Sequence, residues 1–369
     1  MPHQWTTNVM GSRLGILLIV LLSAAGAAGA QPPSVQAGGQ QAPPPAAAIP
    51  LEPSSTAASA DARPATTTFL GDSGVWFVPI AEVLPDRTWS VTGYRRGTNY
   101  IQGSTSVADF AGTFAVGVAN RIELFGSVLG ATTVDRDLQP VFVANPSYGG
   151  FVDRYPRVLS SSPVTGFGDS YLGLKVNLMS ESRGHLVAAA VRTVVKLPTA
   201  DELSGTGRTD VSLEAIGSKE FAERFEVAAL LGYRFQGQPS GFVTPSGAIT
   251  WGAATSFPSR GAFRVFGEAT GEVVSSDFAS RMVPLVGTDD SIPPVSVDTE
   301  NLMRLTVGLN WQMRGGLFIG AGVTWTPPRA ERIPATQTDH AFGDFRDWQI
   351  RIGFHPGIHL FAKPQSTRG

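Results

Sequence analysis

The clearest pattern in the chain is alternation. From 303 to 313 the odd positions are Met303, Leu305, Val307, Leu309, Trp311 and Met313, and the even ones are Arg304, Thr306, Gly308, Asn310 and Gln312. Successive side chains of a strand point to opposite faces, whereas a helix repeats every 3.6 residues, so this stretch predicts a strand with one apolar face. Residues 187–197, 225–235, 317–325 and 348–354 show the same sorting.

Twelve strands follow, at 88–97, 106–118, 121–131, 168–179, 185–197, 208–219, 223–236, 245–258, 261–273, 299–313, 316–327 and 345–355. The gaps between them alternate between short and long. This rhythm belongs to bacterial outer-membrane barrels, with tight periplasmic turns and longer outer loops, and it puts both termini in the periplasm. No segment after the N-terminal region has 18 or more unbroken apolar residues. A chain that enters lipid without helices must close its sheet, because lipid offers no partner for a strand edge. The expected fold is therefore all-β: a transmembrane antiparallel β-barrel of about 12 strands with up-and-down topology. A soluble sandwich or solenoid is the alternative, and the strand lengths and loop rhythm favour the barrel. Aromatic residues near strand ends suggest interfacial girdles: Trp89, Tyr171, Tyr233, Phe235, Trp251, Phe257, Trp311, Trp325 and Trp348.

The N-terminus reads as an export signal. Arg13 precedes the apolar run 14–22, and Ala28-Gly29-Ala30 matches a small-residue cleavage site. The expected organisation is a signal peptide at 1–30, a disordered leader rich in Pro, Ala and Gln at 31–70, the barrel at 71–363 and a tail at 364–369. The leader has almost no large apolar residue with which to offset its ordering entropy.

Composition adds exclusions. The 369 residues hold no Cys, so disulfides, zinc-thiolate sites and thiol nucleophiles are excluded. The net charge of −2 offers no basic face for nucleic acid. The expected partners are outer-membrane lipid, the barrel-assembly machinery during insertion and a small-molecule solute, with no cofactor. No HExxH motif occurs. No His lies mid-strand on an outward face beside a Ser and an orienting group, so catalysis, including lipid hydrolysis, is not expected. Asp289-Asp290 is too sparse for a calcium site.

The inward positions carry the candidate functional residues: Glu123, Lys175, Arg192, Lys196, Asp210, Glu214, Glu226, Arg234, Arg264, Glu268, Glu272, Arg304 and Arg351. Seven are basic and six acidic. Two readings stay open. One is a narrow polar pore in which opposed charges set selectivity. The other is a salt-bridged interior closed to solutes, where buried charges must pair. The longest loop, 132–167, either folds into or over the lumen or lies exposed.

Two segments carry a resemblance. GFGDSYLGLKVNL (166–178) and VVKLPTADELSGTGRTD (194–210) resemble strands of the outer-membrane barrels of the phenol-degradation meta-pathway type, with Ala200 where Gly is usual. GVWFVPIAEVLPDRTWSVTGYRRG (74–97) is similar to the start of barrels fused to OmpA-like periplasmic domains. The resemblance spans roughly 74–360 and implies a porin-like channel or transporter for small solutes, apolar or aromatic ones included. The alternatives are a structural or adhesive surface barrel with a closed lumen, and a barrel-embedded lipid hydrolase. With the last residue at Gly369, no C-terminal peptidoglycan-binding domain is expected, and Phe354 or Phe361 is the candidate insertion signal.

Overall fold

The computed structural model describes residues 66–136, 138–313, 315–327 and 346–356. The expected signal peptide (1–30), the expected leader up to 65, the expected tail (364–369) and Phe361 lie outside the described residues. The strands are β1 Trp89–Tyr100, β2 Thr105–Val118, β3 Ile122–Arg136, β4 Val164–Gly166, β5 Ser170–Met179, β6 Ala188–Leu197, β7 Asp210–Phe221 and β8 Phe225–Gln236. They continue as β9 Phe242–Val243, β10 Gly247–Phe257, β11 Phe263–Val274, β12 Phe278–Arg281, β13 Ser296–Asp298, β14 Met303–Gln312, β15 Leu317–Trp325 and β16 Arg346–Phe354.

Twelve of these close into one antiparallel barrel: β1, β2, β3, β5, β6, β7, β8, β10, β11, β14, β15 and β16. Each pairs with its neighbour in chain order, and β1 pairs with β16 to complete the ring. The expected strand positions hold to within a few residues. The main difference is at β3, expected to end at 131, which runs on to Arg136. Its last residues pair with β2 through Thr105↔Arg136 and with the short β4 through Thr132↔Gly166. Among the described residues, four strands lie outside the ring: β4 pairs only with β3, and β9, β12 and β13 form a separate three-stranded sheet among the long loops.

The barrel is inverted relative to a soluble protein. Val307 on β14 is 64% exposed and Leu231 on β8 is 61% exposed, while Lys175 and Arg351 are wholly buried. Burying one such aliphatic side chain is worth about 1.5–3 kcal/mol, so an apolar outer face repeated on every strand fits lipid and not water. Exposed aromatic residues ring both ends. Trp311 stacks on Phe263 at 5.6 Å, and Trp89 packs on Phe354 at 5.8 Å, at the short-turn end. Phe235, Trp325 and Trp348 are exposed at the other end. Tyr171 departs from the girdle expectation. Leu172 and Leu174 take the outward positions of β5, and Tyr171 packs inward against the buried core.

The short connections are built for hairpins. Ala119 and Asn120 between β2 and β3 both have positive φ, at 53° and 54°. Ala222 and Glu223 between β7 and β8 repeat this at 48° and 56°. Two successive left-handed residues give a turn whose twist matches the strands on either side.

The lumen is not filled by wall side chains alone. Residues 66–88, which precede β1, enter it and are mostly buried. The part of this segment from 66 to 70 falls where the composition suggested a disordered leader. There these residues pack against aromatic and polar side chains of the wall, Tyr94, Thr92 and Arg264 among them, which composition does not register.

Candidate functional site

The segment inside the barrel has no regular secondary structure, so its backbone groups need partners from elsewhere. Some are its own. The Phe69 N–H donates to Trp76 O at 2.9 Å, and the Val75 N–H donates to Val78 O at 2.9 Å. Others come from the wall. Both oxygens of Glu268 on β11 accept from the backbone N–H groups of Trp76 (2.8 Å), Phe77 (2.8 Å) and Val78 (3.1 Å). Glu123 on β3 accepts from the Ser73 N–H, the Ser73 hydroxyl (2.7 Å) and the Leu84 N–H (3.0 Å). Lys175 on β5 donates to Ser73 O (3.1 Å) and Ile80 O (3.2 Å). Arg351 on β16 donates to Thr67 O (2.8 Å) and Val75 O.

Ion pairs and rings complete the seal. Arg192 on β6 bridges Asp72 in the segment and Glu214 on β7. Trp76 is wholly buried. Its ring stacks on Phe266 at 5.2 Å and meets Tyr94 edge-on at 5.8 Å, with the Arg351 guanidinium 4.4 Å above it. The segment enters and leaves on the short-turn side. Thr66 meets Arg264 near the start of β11, and Leu84 meets Glu123 near the start of β3. We call this segment the plug.

The structure thus places Glu123, Lys175, Arg192, Glu268, Arg264 and Arg351 against the plug. Lys196 and Asp210 pair with each other across β6 and β7 at 2.7 Å, with Asp169 3.6 Å from the same amine. Glu214 binds Arg192, and Glu226 accepts from Ser256 at 3.3 Å. Arg234 pairs with Glu272, which also holds Arg154 from the long loop. Arg304 faces the space above the plug. The plug itself was missed by periodicity. Its signal was a cluster of large apolar residues, Phe69, Leu70, Trp76 and Phe77, in a stretch with no strand pattern.

Above the plug lies a cavity of about 250 Å³. Phe69, Leu70 and Phe77 form its floor, and wall residues include Arg96, Tyr171, Lys196, Arg234 and Arg304. Arg154 and Tyr155 reach it from the loop after β3. Burial, with the Asp109 carboxylate nearby, raises the Tyr155 hydroxyl well above its ordinary value. Asp169, at the foot of β5, is also raised by burial, against the opposing pull of Lys196.

Among the described residues, three of the long loops fold together over this end. Val141, Phe142 and Phe151 from the loop after β3 form an apolar core with Phe242, Ala279, Leu285 and Val297 from the small sheet and its connections. Arg136 is buried at the top of β3 and donates to Val141 O (3.3 Å) and Gly150 O (2.5 Å). Asp289 accepts from the Ser291 hydroxyl and the Val141 N–H, both at 2.6 Å. These bonds, Ser291 foremost, hold its carboxyl below the usual range. The loop expected at 132–167 therefore lies over the mouth, and Asp289 ties two loops together.

A family profile described as the MetA-pathway of phenol degradation matches residues 95–265, under half of the chain. No curated protein is significantly similar in sequence. Several solved structures are similar to this chain. The COG4313 outer membrane channel from Pseudomonas putida F1 aligns with a TM-score of 0.48 at 11% identity, over 75% of this chain and 97% of that one. The KdgM porin aligns with a TM-score of 0.39 at 7% identity, over 72% and 98%. A TodX mutant, a monoaromatic hydrocarbon channel, aligns with a TM-score of 0.34 at 10% identity, over 74% and 91%.

Proposed function

We propose that this chain is an outer-membrane channel or transporter for small solutes, closed at rest by the plug and roofed by the long loops. The observation that carries this reading is the chemistry of the seal. The plug is a separate stretch of chain, and the wall holds it largely through side chains bonded to its backbone. Barrels of about eight strands fill with wall side chains, a 12-strand barrel is wider, and here a separate stretch of chain takes up the extra space. A detachable stopper suits a path that opens. The short turns then lie on the periplasmic side, with both termini there, and the lipid-facing barrel inserts with the help of the assembly machinery. The description of the matching family points to small aromatic compounds as solutes. The resemblance of residues 74–97 to the start of OmpA-like fused barrels falls on the plug and the first strand.

The second reading, a closed structural or surface barrel, has one observation in its favour: the apolar packing around Trp76 and Phe266 is dense enough for a permanent core. Bilayer recordings decide between them. The transport reading expects low conductance from the full chain and a marked rise when Glu123 and Glu268 are both replaced by Ala. A doubly substituted barrel that inserts yet stays silent at all voltages leaves the structural reading. No catalytic group is assigned.

A further inference from the structure

Among the described residues, every basic side chain lining the cavity but one lies within ion-pair distance of a carboxylate, Arg192 on Asp72 and Arg208 on Asp210 included. Arg96 pairs with Asp109, Arg154 and Arg234 share Glu272, and Lys196 sits between Asp169 and Asp210. Arg304 on β14 has no carboxylate partner among the described residues, and its buried Nε has no hydrogen-bond partner. Arg304 is half-buried, and a guanidinium partly drawn out of water without an anion bears a cost that a partner recovers. Arg304 also lies in an aromatic setting. Phe69, Phe77 and Tyr171 line the same cavity, and Tyr100 and Tyr155 meet edge-on at 6.2 Å on its border. A planar ring would find faces and edges to pack on there. Its carboxylate would find the fork of donors that a guanidinium presents.

We propose that the cavity binds a small organic anion with a planar apolar body, its carboxylate on Arg304 and its ring against the aromatic side chains of the plug and β5. The inference deepens the transport reading by naming a substrate class. It concerns binding, which exists or fails whether or not the barrel conducts.

Titration calorimetry of the full chain in detergent tests it, with benzoate as the probe. Benzyl alcohol supplies the ring without the charge, and acetate the charge without the ring. The expected result is one saturable benzoate site per barrel, with both controls bound at least about tenfold more weakly. Arg304→Ala should weaken benzoate by about tenfold or more, the size of one charge-assisted hydrogen bond, and leave benzyl alcohol unchanged. Arg304→Lys should recover part of the loss. Equal affinity for benzoate and benzyl alcohol overturns the proposal, as does wild-type benzoate affinity in a folded Arg304→Ala barrel. Should that variant not fold, the ranking of the three probes on the unaltered chain decides. Benzoate binding without any conductance would remove transport and keep the site. Conductance without benzoate binding would do the reverse.

Discussion

One nitrogen of Arg192 donates to both carboxylate oxygens of Asp72, at 2.9 and 3.0 Å, across 120 positions of sequence. The pair joins the barrel wall to the plug where both groups are buried. Arg192 also holds Glu214, so losing Asp72 leaves it one carboxylate rather than none. Asp72→Ala should therefore loosen the plug by about 1–3 kcal/mol, the cost of an unsatisfied buried group, without unfolding the barrel. The expected outcome is faster proteolytic cleavage within 66–84 and an unchanged heat-modifiable gel shift. Wild-type cleavage rates would show that the pair does not hold the plug.

Glu268 accepts three backbone N–H groups, and an amide can accept at only one end. Glu268→Gln keeps the shape but turns an NH₂ toward a donor. It should loosen the plug by about 1–3 kcal/mol, with longer open events in single-channel records. Records indistinguishable from the parent would contradict this account of the seal.

The cap over the long-loop end depends on its own apolar core. Phe151 is wholly buried there against Phe242, with ring centroids 5.4 Å apart. Phe151→Ala should cost the cap about 3–5 kcal/mol and expose the loop after β3 to protease. The barrel's thermal transition should not move. If barrel and cap melted together at a lower temperature, they would be one cooperative unit.

Tyr155 gives the cap an alkaline limit. Its hydroxyl is raised above the ordinary value in the folded cap, so the protonated form is what the fold holds. The stabilisation is fully present below pH about 10, the value in an unfolded chain, and is lost as pH rises through the higher folded value. Cap protection against protease should fall above that pH, and Tyr155→Phe should remove this alkaline loss. Identical pH profiles for the two proteins would refute the assignment.

Val307 sits mid-strand on β14, facing outward between Gly267 and Val323. Val307→Arg should cost about 2–4 kcal/mol in lipid if this is the membrane midplane, read as lower unfolding stability in bilayers. A substitution with no effect there would place the belt elsewhere.

The barrel was legible because its chemistry is local and periodic. Met303 to Gln312 sort by parity, and the side on which Arg304 falls follows from that alone. The charge balance of the lumen was visible for the same reason, but it could not choose between an open pore and a closed one. That choice depends on the plug, whose residues obey no period. Trp76, Phe77 and Val78 show no pattern because one carboxylate about 190 positions away satisfies their N–H groups. The cap was hidden differently. β9 and β13 are two and three residues long, too short for alternation to register, although Phe142, Phe151 and Leu285 in nominally exposed loops were a signal.

The seal also sets an order of events in folding. Thr67 receives its bond from Arg351 across 284 positions, and Trp76 waits for Glu268 across 192. The earliest described residues of the chain are therefore among the last to be satisfied, and contacts this distant form slowly because the closing entropy is met before any reward. Until β16 is in place, Phe69, Trp76 and Phe77 form a sticky apolar stretch ahead of an unfinished sheet. A holding factor that shields that stretch would speed assembly, and a chain lacking it would close its ring sooner around an empty lumen.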